Sequence, residues 1–138
     1  MVEVTRTSTW HSLYGKRVLV VEDEPDALDV VAMVLREAGA QVVPAATAGA
    51  ALASMKAAPF DLVVSDISLP EMDGYTLAGK LRELAESHGT HPRLVAFTGH
   101  TTASDRSRAQ AAGFDAHIAK PVDPVALVSL VKSLLALA

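Results

Sequence analysis

The sequence contains no cysteine, which excludes disulfide frameworks, thiolate zinc sites and cysteine nucleophiles. Aromatic residues make up only 4% of a chain that is 50% hydrophobic, so the core must be aliphatic, built from Val, Leu, Ile and Ala. No apolar run approaches the ~20 residues a membrane span requires. The opening residues, MVEVTRTSTWHSLYGK, lack the apolar stretch of a secretory signal. Basic residues are outnumbered, 12 against 16 acidic ones, for a net charge of −4. That balance argues against a general nucleic-acid or anionic-membrane binder. Neither GxGxxG nor a phosphate loop ending in GK[ST] is present, so nucleotide binding has no support. The expectation is a soluble, cytoplasmic chain with no nucleic-acid or membrane partner. Its 138 residues amount to about one domain, with no room for a separate output module.

Residues 1–15 are polar and aperiodic and read as a leader or linker; residues 16–138 read as the domain. Within it, short apolar runs alternate with segments of helical period. The runs Arg17–Val21, Gln41–Ala45, Asp61–Ser65, Arg93–Phe97 and Phe114–Ala119 are β-branched and mostly continuous, as expected of strands buried on both faces of a parallel sheet. Helix punctuation separates them. Pro25 suits a first turn, Gly39 a C-terminal stop, Thr47 an N-cap, and Asp123-Pro124 an N-cap and N1 pair. Five βα units in succession predict an α/β fold with a doubly wound, five-stranded parallel sheet. Proline is tolerated chiefly on edge strands, so Pro44 favours the order 2-1-3-4-5, which puts the second strand at an edge.

In such a sheet, ligands bind beyond the carboxyl ends of the strands. The first strand runs into Glu22 and Asp23, the third ends at Asp66, the fourth at Thr98 and Gly99, and the fifth at Lys120. Three carboxylates, a hydroxyl and an ammonium are thus predicted to converge on one edge. Carboxylates this close repel and need a cation or protonation. Oxygen-only donors favour a hard ion such as Mg²⁺. A lysine beside such a site suits a phosphoryl group, and a carboxylate near Mg²⁺ can act as a nucleophile and form an aspartyl-phosphate.

On these residues the chain closely resembles the receiver domain of bacterial response regulators, the CheY-like superfamily with its flavodoxin-like (βα)5 fold. The segments that carry the resemblance are VLVVEDE (Val18 to Glu24), DLVVSDISLPEMDG (Asp61 to Gly74), FTG (Phe97 to Gly99) and AKP (Ala119 to Pro121). The resemblance implies a phosphorelay receiver, a conformational switch rather than a turnover enzyme. Asp66 would accept a phosphoryl group from a histidine kinase or phosphotransfer protein. Asp23 and Asp66 would ligate Mg²⁺ directly, Glu22 mostly through water, and Ser68 through its backbone carbonyl. Thr98 and Lys120 would each hold a phosphoryl oxygen, Gly99 would keep the donor's approach open, and Lys120-Pro121 is expected to be cis. Glu22 stands where aspartate is more usual.

His117 occupies the position of the family's aromatic switch. It reads either as a titratable switch residue or simply as a half-buried sheet residue. His100, two residues past Thr98, falls where the family tunes phosphoryl lifetime. His88 and His91 read as a solvated connector, and Met33, Met55 and Met72 as core fillers. The fourth helix, between Thr101 and Ala112, offers only alanines as apolar residues, which predicts a weakly anchored, mobile element. In the first helix, Leu28, Val31 and Leu35 form an inward stripe, leaving Val30, Met33 and Val34 elsewhere. The last helix, PVALVSLVKSLLALA, is apolar nearly all round. That surplus predicts a docking patch for a phosphodonor, a homodimer or a fused kinase domain. Two other readings remain. A phosphate-independent scaffold would not need the intact acidic pocket. An aspartate-nucleophile phosphatase usually carries a second aspartate where this chain has Ser68.

Overall fold

The computed structural model describes residues 12–99 and 102–136; the leader up to His11, and His100, lie outside them. Five parallel strands, β1 (Arg17–Val21), β2 (Gln41–Ala45), β3 (Leu62–Asp66), β4 (Arg93–Thr98) and β5 (Ala116–Ala119), form one sheet in the order β2-β1-β3-β4-β5. Between and after them run α1 (Pro25–Glu37), α2 (Ala48–Ala57), α3 (Gly74–Ser87), α4 (Ala103–Ala112) and α5 (Pro124–Leu134). Pro44 does lie on an edge strand, opposite Val20.

The strands read as continuous apolar runs because both faces of the sheet are covered. Leu19, Val21, Val63, Leu94 and Ala96 point to one side and pack with α2 and α3 through Ala51, Met55, Leu77 and Leu81. Val18, Val20, Leu62, Val64, Val95 and Phe97 point to the other and pack with α1 and α5 through Val31, Leu35, Leu127 and Val131. Leu13, upstream of the first strand, is buried in this second layer, and its N–H donates to the Ala38 carbonyl.

The helix ends follow their local chemistry. Thr47, Asp73, Thr102 and Asp123 cap α2 to α5 with side-chain oxygens, and Glu24 does the same for α1 ahead of Pro25. Gly39 follows α1 at φ +102°, the left-handed stop that glycine adopts without strain.

Four expectations need correction. β3 starts at Leu62 rather than Asp61, because the Asp61 carboxylate turns back to accept the Arg17 N–H at 2.8 Å. β5 starts at Ala116, because Phe114 is instead sunk into the core shared with α3. Val34 is buried against the sheet, while Leu28 is only half-buried. Met33 is 51% exposed and fills no core gap; Met55 is buried and Met72 packs partly against the core.

Candidate functional site

The order 2-1-3-4-5 reverses direction at β1 and β3, and the loops leaving these two strands diverge to open a crevice. Glu22 follows β1 and Asp66 ends β3, so both carboxylates flank this crevice on neighbouring strands. Glu22 is 0% exposed and Asp66 3% exposed, whereas Asp23 lies at the surface. One carboxylate oxygen from each of the three lies within 4.8 Å of the others. Lys120, at the end of β5, reaches across: its Nζ is 2.6 Å from Glu22 Oε1 and 3.1 Å from Asp66 Oδ2. The backbone aims it there. The Lys120 N–H donates to the Thr98 carbonyl at 3.0 Å, and the Lys120-Pro121 peptide is cis. The ammonium also stands 5.0 Å from the centre of the Phe97 ring, an attractive arrangement.

Local hydrogen bonds hold the carboxylates. Asp66 Oδ1 accepts the Ser68 N–H at 2.9 Å, and Glu22 Oε2 accepts the Glu24 N–H at 3.2 Å. Glu22 Oε1 is buried with no aligned hydrogen-bond donor, so the Lys120 charge beside it is its main compensation. Burial therefore raises the Glu22 carboxyl up to about 7, against the lowering effect of Lys120 and with Asp66 pushing the same way. Burial would lower Lys120, but Glu22 and Asp66 outweigh it and hold its ammonium above the usual range.

The donor set tests well for a divalent cation. All three side chains offer oxygen, one buried oxygen lacks an aligned donor, and the single ammonium opposes several carboxylates. Such a set suits a hard ion.

Thr98 is buried at the end of β4, level with Ala119 across the ladder. Gly99 is exposed, and a Cβ there would meet nothing within 4 Å. His117 is half-buried on β5 and borders a cavity against α4, apart from the acidic cluster. His88 and His91 are exposed, with His88 Nε2 3.1 Å from the Lys56 carbonyl.

Three supporting features escape a reading based on chemistry alone: one contact and two residues. The Lys120–Glu22 contact is one. The second is Glu71, whose Oε1 accepts the Ala48 N–H at 2.5 Å and ties the loop after Asp66 to the start of α2. Gly74 is the third. A Cβ on it would stand 2.4 Å from Ile67 Cα and 2.6 Å from the Asp66 carbonyl, so only glycine lets α3 start directly beneath the acceptor loop. The MDG that closes the segment DLVVSDISLPEMDG carries that signal.

The response regulator receiver domain family matches residues 18–132. The chain belongs to this family. This receiver is 40% identical over 115 residues to an uncharacterised 14.6 kDa protein of Leptolyngbya boryana, covering 83% of this chain and 86% of that one. It is 34% identical over 116 residues to the sensor histidine kinase GacS of Pseudomonas protegens, covering 83% of this chain but 13% of the kinase. Among solved structures it resembles the receiver domain of the sensor histidine kinase PA1611 of Pseudomonas aeruginosa, which has a magnesium ion coordinated in its active-site cleft. The TM-score is 0.78 at 26% identity, covering 88% of this chain and 98% of that one. The protein is thus a receiver of the phosphorelay type, homologous to receivers carried by histidine kinases. None of its described helices is long and apolar enough to cross a membrane.

Proposed function

We propose that Asp66 is the phosphoacceptor of this receiver, taking a phosphoryl group from a phosphohistidine donor in a Mg²⁺-dependent reaction. The observation that carries this reading is the buried Asp66 carboxylate, held by the Ser68 N–H and the Lys120 ammonium at the sheet's switch point. An Asp66 oxygen attacks phosphorus, the donor's P–N bond breaks as the new P–O bond forms, and the imidazole leaves with the electron pair. Asp23, Asp66, Glu22 and the Ser68 carbonyl would hold Mg²⁺, which supplies positive charge to the transferring group. Lys120 exchanges a carboxylate oxygen for a phosphoryl oxygen, and the Thr98 hydroxyl donates to another. Little covalent chemistry is asked of the protein; positioning and charge complementarity do most of the work.

The switch follows from the same contacts. Drawing Thr98 toward the phosphoryl group shifts the start of the β4–α4 connection, and α4 with it. The domain runs from residue 16 to 138, with Leu13 just upstream packed into its core, and works in the cytoplasm with a histidine kinase or phosphotransfer protein. The exposed Val30 and Met33 on α1 and Val125 on α5 supply the donor's docking surface.

The self-directed chemistry separates a switch from a phosphatase. With excess small phosphodonor and Mg²⁺, donor consumption should stop near one equivalent per chain, followed by slow turnover. Rapid, sustained consumption would identify a phosphatase instead.

A further inference from the structure

On the face of the sheet covered by α1 and α5, an apolar groove of about 340 Å³ lies between the two helices. Val34 and Ala38 line it from the α1 side, Val125 and Val128 from α5. Glu37 and Lys132 add a charge of each sign to the lining, and neither forms an ion pair with a described residue. Ser12 lines the groove as well, although it belongs to neither helix. Its Oγ is buried and has no hydrogen-bond partner among the described residues. The next residue fixes it there: Leu13 is fully buried in the layer shared with α1 and α5, and its N–H donates to the Ala38 carbonyl at 2.8 Å. The chain therefore enters the domain through the wall of this groove.

We propose that the occupant of this groove is the chain's own segment 1–11, with the Trp10 indole seated against Val34, Ala38 and Val128, and that the seated segment screens Val125 from a phosphodonor. Trp10 is the chain's only tryptophan and stands two residues before Ser12, so its Cα lies within about 7 Å of that residue's. Such a tether holds the indole at an effective concentration in the millimolar range. An aromatic side chain of this kind buries roughly 150–250 Å² of surface, which suits an apolar groove of this size. The remaining residues can follow it. Segment 1–11 reaches about 36 Å when extended, against about 17 Å for the 11 residues of α5. Its Arg6 and Glu3 supply the charges that Glu37 and Lys132 lack, and its polar groups answer the orphaned Ser12 hydroxyl. The seating of Trp10 stands on the groove alone, whereas the screening rests on the reading of Val125 as part of the donor's docking surface.

The test uses the full chain, whose fluorescence reports Trp10 and no other tryptophan. Native emission should lie to the blue of that of the urea-unfolded chain, with weaker acrylamide quenching. Ser129→Glu, at an exposed position of the groove, puts a charge beside the indole and should move both readings toward the unfolded values. Val128→Ala trims the wall more gently and should move them the same way, with circular dichroism confirming an intact fold. Native emission equal to that of the unfolded chain, or indifference to both substitutions, would overturn the seating. The screening is read from phosphotransfer. Trp10→Ser should lower the KM for a phosphorylated histidine kinase roughly fivefold, as for a surface covered about four-fifths of the time, and leave the rate with a small phosphodonor unchanged. An unchanged KM in Trp10→Ser, while Val125→Asp slows the same transfer, would overturn the screening and leave the docking surface standing. Indifference to both Trp10→Ser and Val125→Asp would overturn the screening because the donor docks elsewhere.

Discussion

Burial drives the Glu22 carboxyl up to about 7 from an ordinary 4.5, and this has a stability consequence of definite sign. The folded state holds the proton more tightly than the unfolded one. The contribution is therefore fully present below about 4.5 and lost as pH rises through about 7. In divalent-free buffer, urea denaturation should show a loss of up to about 3 kcal/mol from this group across that window, and Glu22→Gln should flatten the curve. An unchanged slope in Glu22→Gln would show that Lys120 already neutralises the site. At this scale the chemistry was legible in the sequence. Glu22, Asp23, Asp66 and Lys120 could be placed together because each directly follows or ends an apolar run. The Lys120–Glu22 contact was not legible, because it depends on which way a long side chain crosses the crevice. Nor was the hydrogen bond from Arg82 to the Gly113 carbonyl legible, since 31 residues separate the two and neither carries a motif.

α4 buries a single alanine, Ala109, whereas α3 buries Leu77, Ala78, Leu81 and Ala85 together with Gly74. Few apolar contacts mean a low local cost of opening. Amide hydrogen exchange should find α4 at least roughly tenfold less protected than β3 in the unphosphorylated protein, with the difference changing on phosphorylation. Equal protection of α4 and β3 in both states would contradict the assignment of α4 as the responsive element. Element order and most boundaries were legible from run length, β-branching and caps. The misplaced boundaries have local causes: Asp61 spends its side chain on Arg17, and Phe114 is an anchor rather than a strand residue. In α1 the buried stripe differs from the expected one at Val34, because the helix turns its Val31–Leu35 face, rather than Leu28, squarely onto the sheet.

The whole molecule has two differently charged regions on one scaffold, an acidic crevice at the sheet's switch point and an arginine-lined cavity beside its edge strand. Its apolar surplus is exposed on α1 and α5, at Val30, Met33 and Val125, the last 76% exposed. If these residues receive the donor, Val125→Asp should slow phosphotransfer from a histidine kinase roughly tenfold or more, a loss of about 1.4 kcal/mol. It should leave phosphorylation by a small phosphodonor unchanged, because the pocket itself is untouched. Equal slowing with both donors would place the defect in folding or in the pocket. The chain spans 13% of the GacS kinase it matches.

The central claim, that Asp66 accepts the phosphoryl group, is tested most directly by intact mass after incubation with a small phosphodonor. With Mg²⁺ the wild-type chain should gain one phosphoryl group. Chelating the metal should suppress the gain, and Asp66→Asn should abolish it. An adduct that persists in Asp66→Asn, or no adduct in wild type with Mg²⁺, would contradict the account.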